Sequence, residues 1–305
     1  MTKQVKHITV CICTYKRPVL LKKLLSKLEQ QETNDLFEYS VVVVDNDAAE
    51  SARNAVKSYT EQSNLAISYH VQPEQNIARA RNKAVENARG DYIAFIDDDE
   101  FPDRKWLQKL FEAQIQHKSD GILGPVLPYF EKEPPGWVVK GGFFDRPSHS
   151  TGHVLDWENT RTGNVLLKRE LFKEDGKWFD PAFGSGGEDR DFFRRKIQEG
   201  HIFVWCNEAP VFETIPPVRW KRTVLLKRSM IRGKMALGAK GSRVKSVFKS
   251  MAAVALYTIC LPFVSVMGHH VFMKYLIKEC DHLGKVFAFF GIDLLKEKYV
   301  GGYQD

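Results

Sequence analysis

The chain has 305 residues, of which 43% are apolar and 27% charged. That is ordinary globular composition, and it excludes disorder over most of the length. The 21 Gly and 13 Pro follow no low-complexity pattern, and five Cys without paired spacing do not make a disulfide framework. The net charge of +7 is unevenly spread: residues 214–305 hold 16 Lys and Arg against 5 Asp and Glu, so residues 1–213 are net acidic. There is no Asn-x-Ser/Thr acceptor site and the first residues do not read as a signal peptide, so a reducing cytoplasm is the expected compartment.

The first two hundred residues alternate two periodicities. His7–Thr14 reads as an apolar strand, with Cys11 and Cys13 on one face as packed thiols. Pro18–Gln31 has helical apolar spacing opened by a proline at its first turn. Tyr39–Asp45 contains four consecutive valines, as a strand buried on both faces would. A helix is predicted over Ala48–Gln62, a strand over Ile67–Val71, a helix over Ile77–Ala88, a buried strand over Asp91–Asp97 and a helix from Lys105 to His117. Pro128–Thr162 reads as a long irregular segment rich in Gly, Pro and aromatics. A helix is expected from Glu188 to Glu199 and one strand over His201–Phe212. The fold class that follows is α/β, a mostly parallel sheet with helices on both faces.

In such sheets ligands gather beyond the carboxyl ends of the strands. Three strand ends carry unusual chemistry: Thr14-Tyr15-Lys16-Arg17, Asp45-Asn46-Asp47 and Asp97-Asp98-Asp99-Glu100. A single Asp there reads more readily as a helix cap or turn residue. Four consecutive carboxylates repel one another unless a cation or basic ligand offsets them, and their oxygens suit Mg²⁺ or Mn²⁺ shared with phosphates. Asp45 is placed to hold a ribose or base edge, and Arg17 to face a diphosphate. No Gly-x-x-x-x-Gly-Lys-Ser/Thr or Gly-x-Gly-x-x-Gly phosphate loop is present, and Gly184-Ser185-Gly186-Gly187 opens onto acids.

Beyond the acidic half, the 11 basic residues between Arg219 and Lys249 are followed by Ser250–Met273, which has no Lys, Arg, Asp or Glu. Basic residues before an apolar run suggest contact with a cytoplasmic membrane face. A solvated basic face followed by a buried helix remains the alternative. Pro262, Gly268, His269 and His270 interrupt the run, so a clean span is not implied. The tract lacks a nucleic-acid module and has Trp220 and Phe248 as its aromatics, so no nucleic-acid partner is expected.

The order Cys-Thr-Tyr-Lys-Arg-Pro, Val-Val-Val-Asp-Asn, Asn76-Ile77-Ala78-Arg79-Ala80-Arg81-Asn82 and Asp97-Asp98-Asp99 resembles the family 2 glycosyltransferases. Thr162-Gly163-Asn164 and Gly186-Gly187-Glu188-Asp189-Arg190-Asp191-Phe192-Phe193 resemble the same family's acceptor side, in the bacterial succinoglycan and exopolysaccharide type. The resemblance covers residues 5–235 and implies the nucleotide-sugar-binding GT-A fold. It assigns residues 1–215 to the transferase domain, with 1–127 as the nucleotide-sugar half and 128–215 as the acceptor half. Residues 216–305 then form a basic helical region.

Carried over residue by residue, the resemblance places Thr14, Tyr15, Arg17, Asp45, Arg81, Asn82, Asp97 and Asp98 at a nucleotide-sugar donor, and family habit implies a UDP-sugar. It places Asp97 and Asp99 on Mn²⁺ or Mg²⁺, with Glu213 as a third contact where the family often has His. Inverting transfer needs a base for the acceptor hydroxyl and neutralisation of the leaving diphosphate. Asp189 is the expected base and Glu188 the residue that orients acceptor hydroxyls, with Asp191 as a further acceptor contact or a helix cap. Asn164 and Trp137 complete the expected site for a saccharide or lipid-linked acceptor, Trp137 by stacking on a sugar face. Two departures are Asn46 after Asp45, where Asp is common, and Ala78, where Gly is frequent. A sugar-phosphate nucleotidyltransferase is the rival enzyme class, although it opens with a Gly-rich loop where this chain has Thr14-Tyr15-Lys16-Arg17. A non-enzymatic basic membrane- or nucleic-acid-binding protein is the other alternative.

Overall fold

The structure is a computed structural model, and it describes residues 5–173, 178–184, 186–237 and 243–292. Ser185 of the glycine-rich stretch and the last residues of the basic region lie outside these. The described chain forms two compact units. One holds residues up to Pro128 together with Arg146–Thr214, and the other holds Tyr129–Asp145 together with the chain from Ile215.

In chain order the first half comprises β1 (Lys6–Thr14), α1 (Pro18–Leu28), β2 (Phe37–Asp45), α2 (Arg53–Thr60), β3 (Ile67–Val71), α3 (Ile77–Asn87), β4 (Tyr92–Ile96), β5 (Glu100–Pro102) and α4 (Trp106–His117). There follow β6 (Gly121–Leu123), β7 (Val126–Phe130), α5 (Gly136–Gly141), β8 (Asn164–Lys168), α6 (Glu188–Gln198), β9 (Phe203–Trp205) and β10 (Val211–Ile215). The chain continues into α7 (Arg222–Ala236), α8 (Arg243–Ser265) and α9 (His269–Phe289).

Seven strands make the main sheet in the order β3-β2-β1-β4-β8-β6-β9. β1 pairs parallel with β2 and β4, β2 with β3, and β6 with β9, while β8 runs antiparallel to both neighbours. The expected mostly parallel α/β sheet is what forms. Val41–Val44 are all buried because helices cover both faces of β2. One face packs on α1 and α4 through Leu21, Leu24, Leu25, Trp106 and Leu110. The other packs on α3 and α6 through Ala84, Val85, Phe192 and Phe193. Cys11 and Cys13 are free thiols, and burial pushes both above the ordinary thiol range.

Two expectations need correction. His201–Phe212 is two strands, β9 and β10, which belong to different sheets: β10 lies between β5 and β7 in a three-stranded sheet. The turn at Asn207, Glu208 and Pro210 carries polar and proline residues that an apolar reading of the run passes over. The segment Pro128–Thr162 is not wholly irregular, since it contains the end of β7, the short α5 and a 3₁₀ turn at Trp157–Asn159.

The second unit has its own small core of Val138, Ile215 and Trp220, with Phe130, Trp137 and Phe144 packed on it. The apolar run 250–273 is not one element. α8 ends at Ser265, Gly268 takes φ +111°, and α9 begins at His269.

Candidate active site

The parallel strands β1, β2 and β4 end together, and this places three polar clusters side by side. At the end of β1 the Thr14 hydroxyl donates to Asp98 at 2.8 Å. Arg17 holds the other Asp98 oxygen at 2.8 Å and Asp99 at 3.2 Å. Burial pushes both Asp98 and Asp99 above the ordinary carboxylate range, against the pull of Arg17. Tyr15 sits beside them, half-buried, with the Lys16 ammonium over its ring.

At the end of β2, Asp45 is fully buried. Its carboxylate accepts from the Ala52 N–H at 2.7 Å, the Tyr69 hydroxyl at 2.9 Å and the Asp47 N–H at 3.2 Å. Those bonds shape the turn after β2. Asn46, the departure from family pattern, ties three loops: its amide donates to the Gln72 and Glu74 carbonyls, and its oxygen accepts from the Asn76 N–H.

The antiparallel register Ile96↔Asn164 starts β8 where β4 ends, so residues 160–163 lie beside the acids. A Cβ at Gly163 would stand 2.9 Å from Glu100 Oε1 and 3.3 Å from an Asp97 oxygen. Glycine is what lets the backbone approach these carboxylates. A cavity of about 270 Å³ opens there, lined by Asp97, Asp189 and four arginines, Arg81, Arg146, Arg161 and Arg190, with Thr160, Thr162 and Gly163. Asp97 is the most open of the four acids, with 45% of its side chain exposed.

Arg81, near the middle of α3, joins the clusters. It lies 3.4 Å from Asp97 and forms a second, buried ion pair with Glu188 in the first turn of α6. α6 begins after Gly187 at φ +97°, and that N-cap residue has no side chain to cap it; the Asp189 carboxylate accepts from the Arg190 N–H at 2.7 Å at the helix's first turn. Asp189 faces the cavity. Asp191 is committed to its own helix, accepting from Arg194 at 2.5 Å and Arg195 at 2.9 Å.

Several expected site residues hold the site's frame. Asn82 clamps the Phe179 backbone, donating to its carbonyl at 2.8 Å and accepting from its N–H at 2.9 Å. Asn164 is fully buried. Its amide donates to the Pro125 and Ala209 carbonyls, and its oxygen accepts from Trp106 Nε1 at 2.8 Å. This corrects its expected acceptor role, because a Thr-Gly-Asn motif at a strand start reads the same whether the Asn faces in or out. Trp137 lies in the second unit, edge-on to Phe143 and His269, and does not line the cavity.

Sequence reasoning missed Arg146 and Arg161. Arg146 pairs with Glu213 and lies 3.9 Å from Glu100. Burial works against its charge, but Glu213 and Glu100 hold its proton on more firmly than usual. Burial and Arg146 make Arg161 easier to deprotonate than an ordinary arginine. Arg161 directly precedes the Thr162-Gly163-Asn164 motif, which was the available signal. Arg146 had none, being one arginine in a segment read for its aromatics.

The acids suit a divalent cation in kind. Asp97, Asp99 and Glu213 offer oxygen donors, Glu213 lies opposite Glu100 in the β5–β10 ladder, and Glu100 Oε1 is buried without a hydrogen bond. Burial and the neighbouring Asp97 push Glu100 well above the ordinary carboxylate range. In the present arrangement Arg81, Arg17 and Arg146 lie against these acids, and no group of three His, Cys, Asp or Glu converges as a metal cage among the described residues. Holding an ion therefore requires Asp99 and Glu213 to share oxygens now turned to arginine.

Residues 9–176 match the family described as glycosyl transferase family 2. This chain belongs to that family. It is 34% identical to the succinoglycan biosynthesis protein ExoM of Rhizobium meliloti (strain 1021), over 86% of this chain and 87% of that one. It is 25% identical to the chondroitin synthase of Escherichia coli over 71% of this chain, which spans 36% of that longer protein. Among solved structures, S. aureus TarS 1–349 in complex with UDP-GlcNAc shares the fold, with a TM-score of 0.55 at 16% identity over 93% of this chain and 91% of that one. The chain is thus a GT-A-type glycosyltransferase, as the motifs implied. Family membership sets aside the nucleotidyltransferase and the non-enzymatic alternatives.

Proposed function

We propose that this glycosyltransferase moves a sugar from a UDP-sugar to a saccharide or lipid-linked saccharide acceptor, with inversion, in bacterial exopolysaccharide or cell-surface glycan synthesis. It would work at the cytoplasmic face of the membrane, which the basic and apolar residues 219–273 contact. The observation that carries the reading is the single cavity wall shared by Asp97 and Asp189, with arginines between and around them. The relatives support the donor and pathway class: ExoM is named for succinoglycan biosynthesis, and the TarS structure holds UDP-GlcNAc.

In this reading the residues divide the work. Asp189 takes the proton of an acceptor hydroxyl as that oxygen bonds to the anomeric carbon. The bond from that carbon to the donor phosphate oxygen breaks, and its electron pair leaves with UDP. Attack from the face opposite the leaving group inverts the centre. Arg146 and Arg161 line the same cavity and offset negative charge as it develops on the diphosphate. When bound by Asp97 and Asp99, with Glu213, Mn²⁺ or Mg²⁺ supplies further neutralisation of that leaving group. Arg81 fixes Asp97 relative to α6, so that donor and acceptor sides keep one spacing. Thr14 and Arg17 hold Asp98, which supports Asp99 as a cation ligand.

A screen of nucleotide sugars with Mn²⁺ and a membrane saccharide extract, scored by nucleoside diphosphate release, tests the reading. Acceptor-dependent UDP release supports it. Release of pyrophosphate, or no release from any UDP-sugar, contradicts it.

A further inference from the structure

The three C-terminal helices sit at unequal distances from water. α9 packs against both α7 and α8. Between α7 and α9 the backbones touch: a Cβ at Gly233 would collide with the Asp281 carbonyl, and one at Gly284 with the Met230 carbonyl. Arg232 pairs with Asp281 at 2.7 Å across the same contact. Between α8 and α9, Thr258 donates to Glu279 at 2.6 Å, Ser250 lies 3.2 Å from His282, and Tyr257 meets Tyr275 edge-on at 5.6 Å. The inward face of α8 is thereby fixed on a helix that carries polar and charged groups.

Its outward face is different. Val244, Phe248, Met251, Leu256, Ile259 and Phe263 are all exposed, and they recur at spacings that keep them on one stripe. Val266, just beyond the helix, is 87% exposed. No charge interrupts this surface after Lys249, whereas Arg243, Lys245 and Lys249 stand exposed at the helix's amino end. An uncovered stripe of this length calls for an apolar partner.

α8 is long and apolar enough to cross a bilayer. Crossing would also draw in α9, which lies alongside it and carries Lys274, Lys278, Glu279, Asp281 and Lys285. Charged side chains at membrane depth are strongly disfavoured. A second copy of this chain is also a poor occupant: paired parallel it would bring two basic helix ends together, and paired antiparallel it would leave each basic end against an apolar surface with no opposite charge to meet. A surface with an apolar interior and anionic headgroups matches both the stripe and the charges beside it.

We propose that α8 lies in the plane of an anionic membrane, with its outward stripe in the acyl boundary and its inward face on α9. This deepens the membrane contact of the proposed function and rests on it. The test uses the full-length chain with vesicles of phosphatidylcholine containing phosphatidylglycerol. Flotation with these vesicles is expected, with at least a tenfold loss in Ile259→Glu or Phe263→Glu, variants whose UDP-sugar turnover in detergent should match that of the parent. A cyanophenylalanine probe at 248, 256 or 263 then reports depth through spin-labelled lipids, and equal shallow quenching at all three is expected. Deep quenching at 256 with shallow quenching at 248 would show a crossing helix and overturn the in-plane placement alone. Failure to float would overturn the membrane contact itself. Dimerisation abolished by Ile259→Glu, without flotation, would assign the stripe to a second copy.

Discussion

Arg81 on α3 and Glu188 on α6 form a buried ion pair, with 9% and 3% of their side chains exposed. The second Glu188 oxygen has no hydrogen-bond partner, and the same guanidinium reaches Asp97 at the end of β4. One arginine thus links Asp97 to the helix that carries Asp189.

Removing one partner leaves the other as an uncompensated buried charge, which costs about 3–5 kcal/mol in comparable pairs. Arg81→Met is expected to lower unfolding free energy by that order, and Arg81→Met with Glu188→Met to recover most of it. Denaturant unfolding of the single and double variants checks this. Additive losses would show that the two residues do not depend on one another.

The cation prediction concerns Asp97, whose open carboxylate is the most available ligand. Asp97→Asn should abolish any strengthening of UDP binding by Mn²⁺ in calorimetry and reduce turnover by at least a hundredfold. Excess chelator should do the same to the parent. Metal-independent UDP affinity together with full turnover in chelator would remove the cation from the account.

Asn164 should behave as a structural residue. Asn164→Ala orphans the Trp106 Nε1–H and the Ala209 carbonyl, while the Pro125 carbonyl keeps its bond from the Val211 N–H. Unsatisfied buried groups cost about 1–3 kcal/mol each, so the expected stability loss is at least 2 kcal/mol by that measure, with acceptor KM unchanged in the folded fraction. A raised acceptor KM at unchanged stability would restore its acceptor role.

How legible all this was in the sequence differs by residue. The valine run of β2 and the strand-end acids announce themselves, because burial on both faces and mutual repulsion leave marks in composition. Pairing across the chain does not. The antiparallel insertion of β8 beside β4 depends on tertiary contacts, and with it goes the approach of Gly163 to Asp97 and Glu100. Asn82 and Asn164 occupy motif positions and turn inward, since an amide reads alike whether it meets a ligand or a carbonyl. Arg146 reaches Glu213 from a loop whose local sequence carries no period at all.

The most direct test of the central claim is turnover by Asp189→Asn, measured with donor affinity and thermal stability on one preparation. The substitution keeps the shape and removes the basicity. If Asp189 takes the acceptor proton, turnover falls by roughly two to four orders of magnitude, while UDP-sugar affinity and melting temperature stay near those of the parent. Near-parental turnover in the folded variant would contradict the account and move the base to another group.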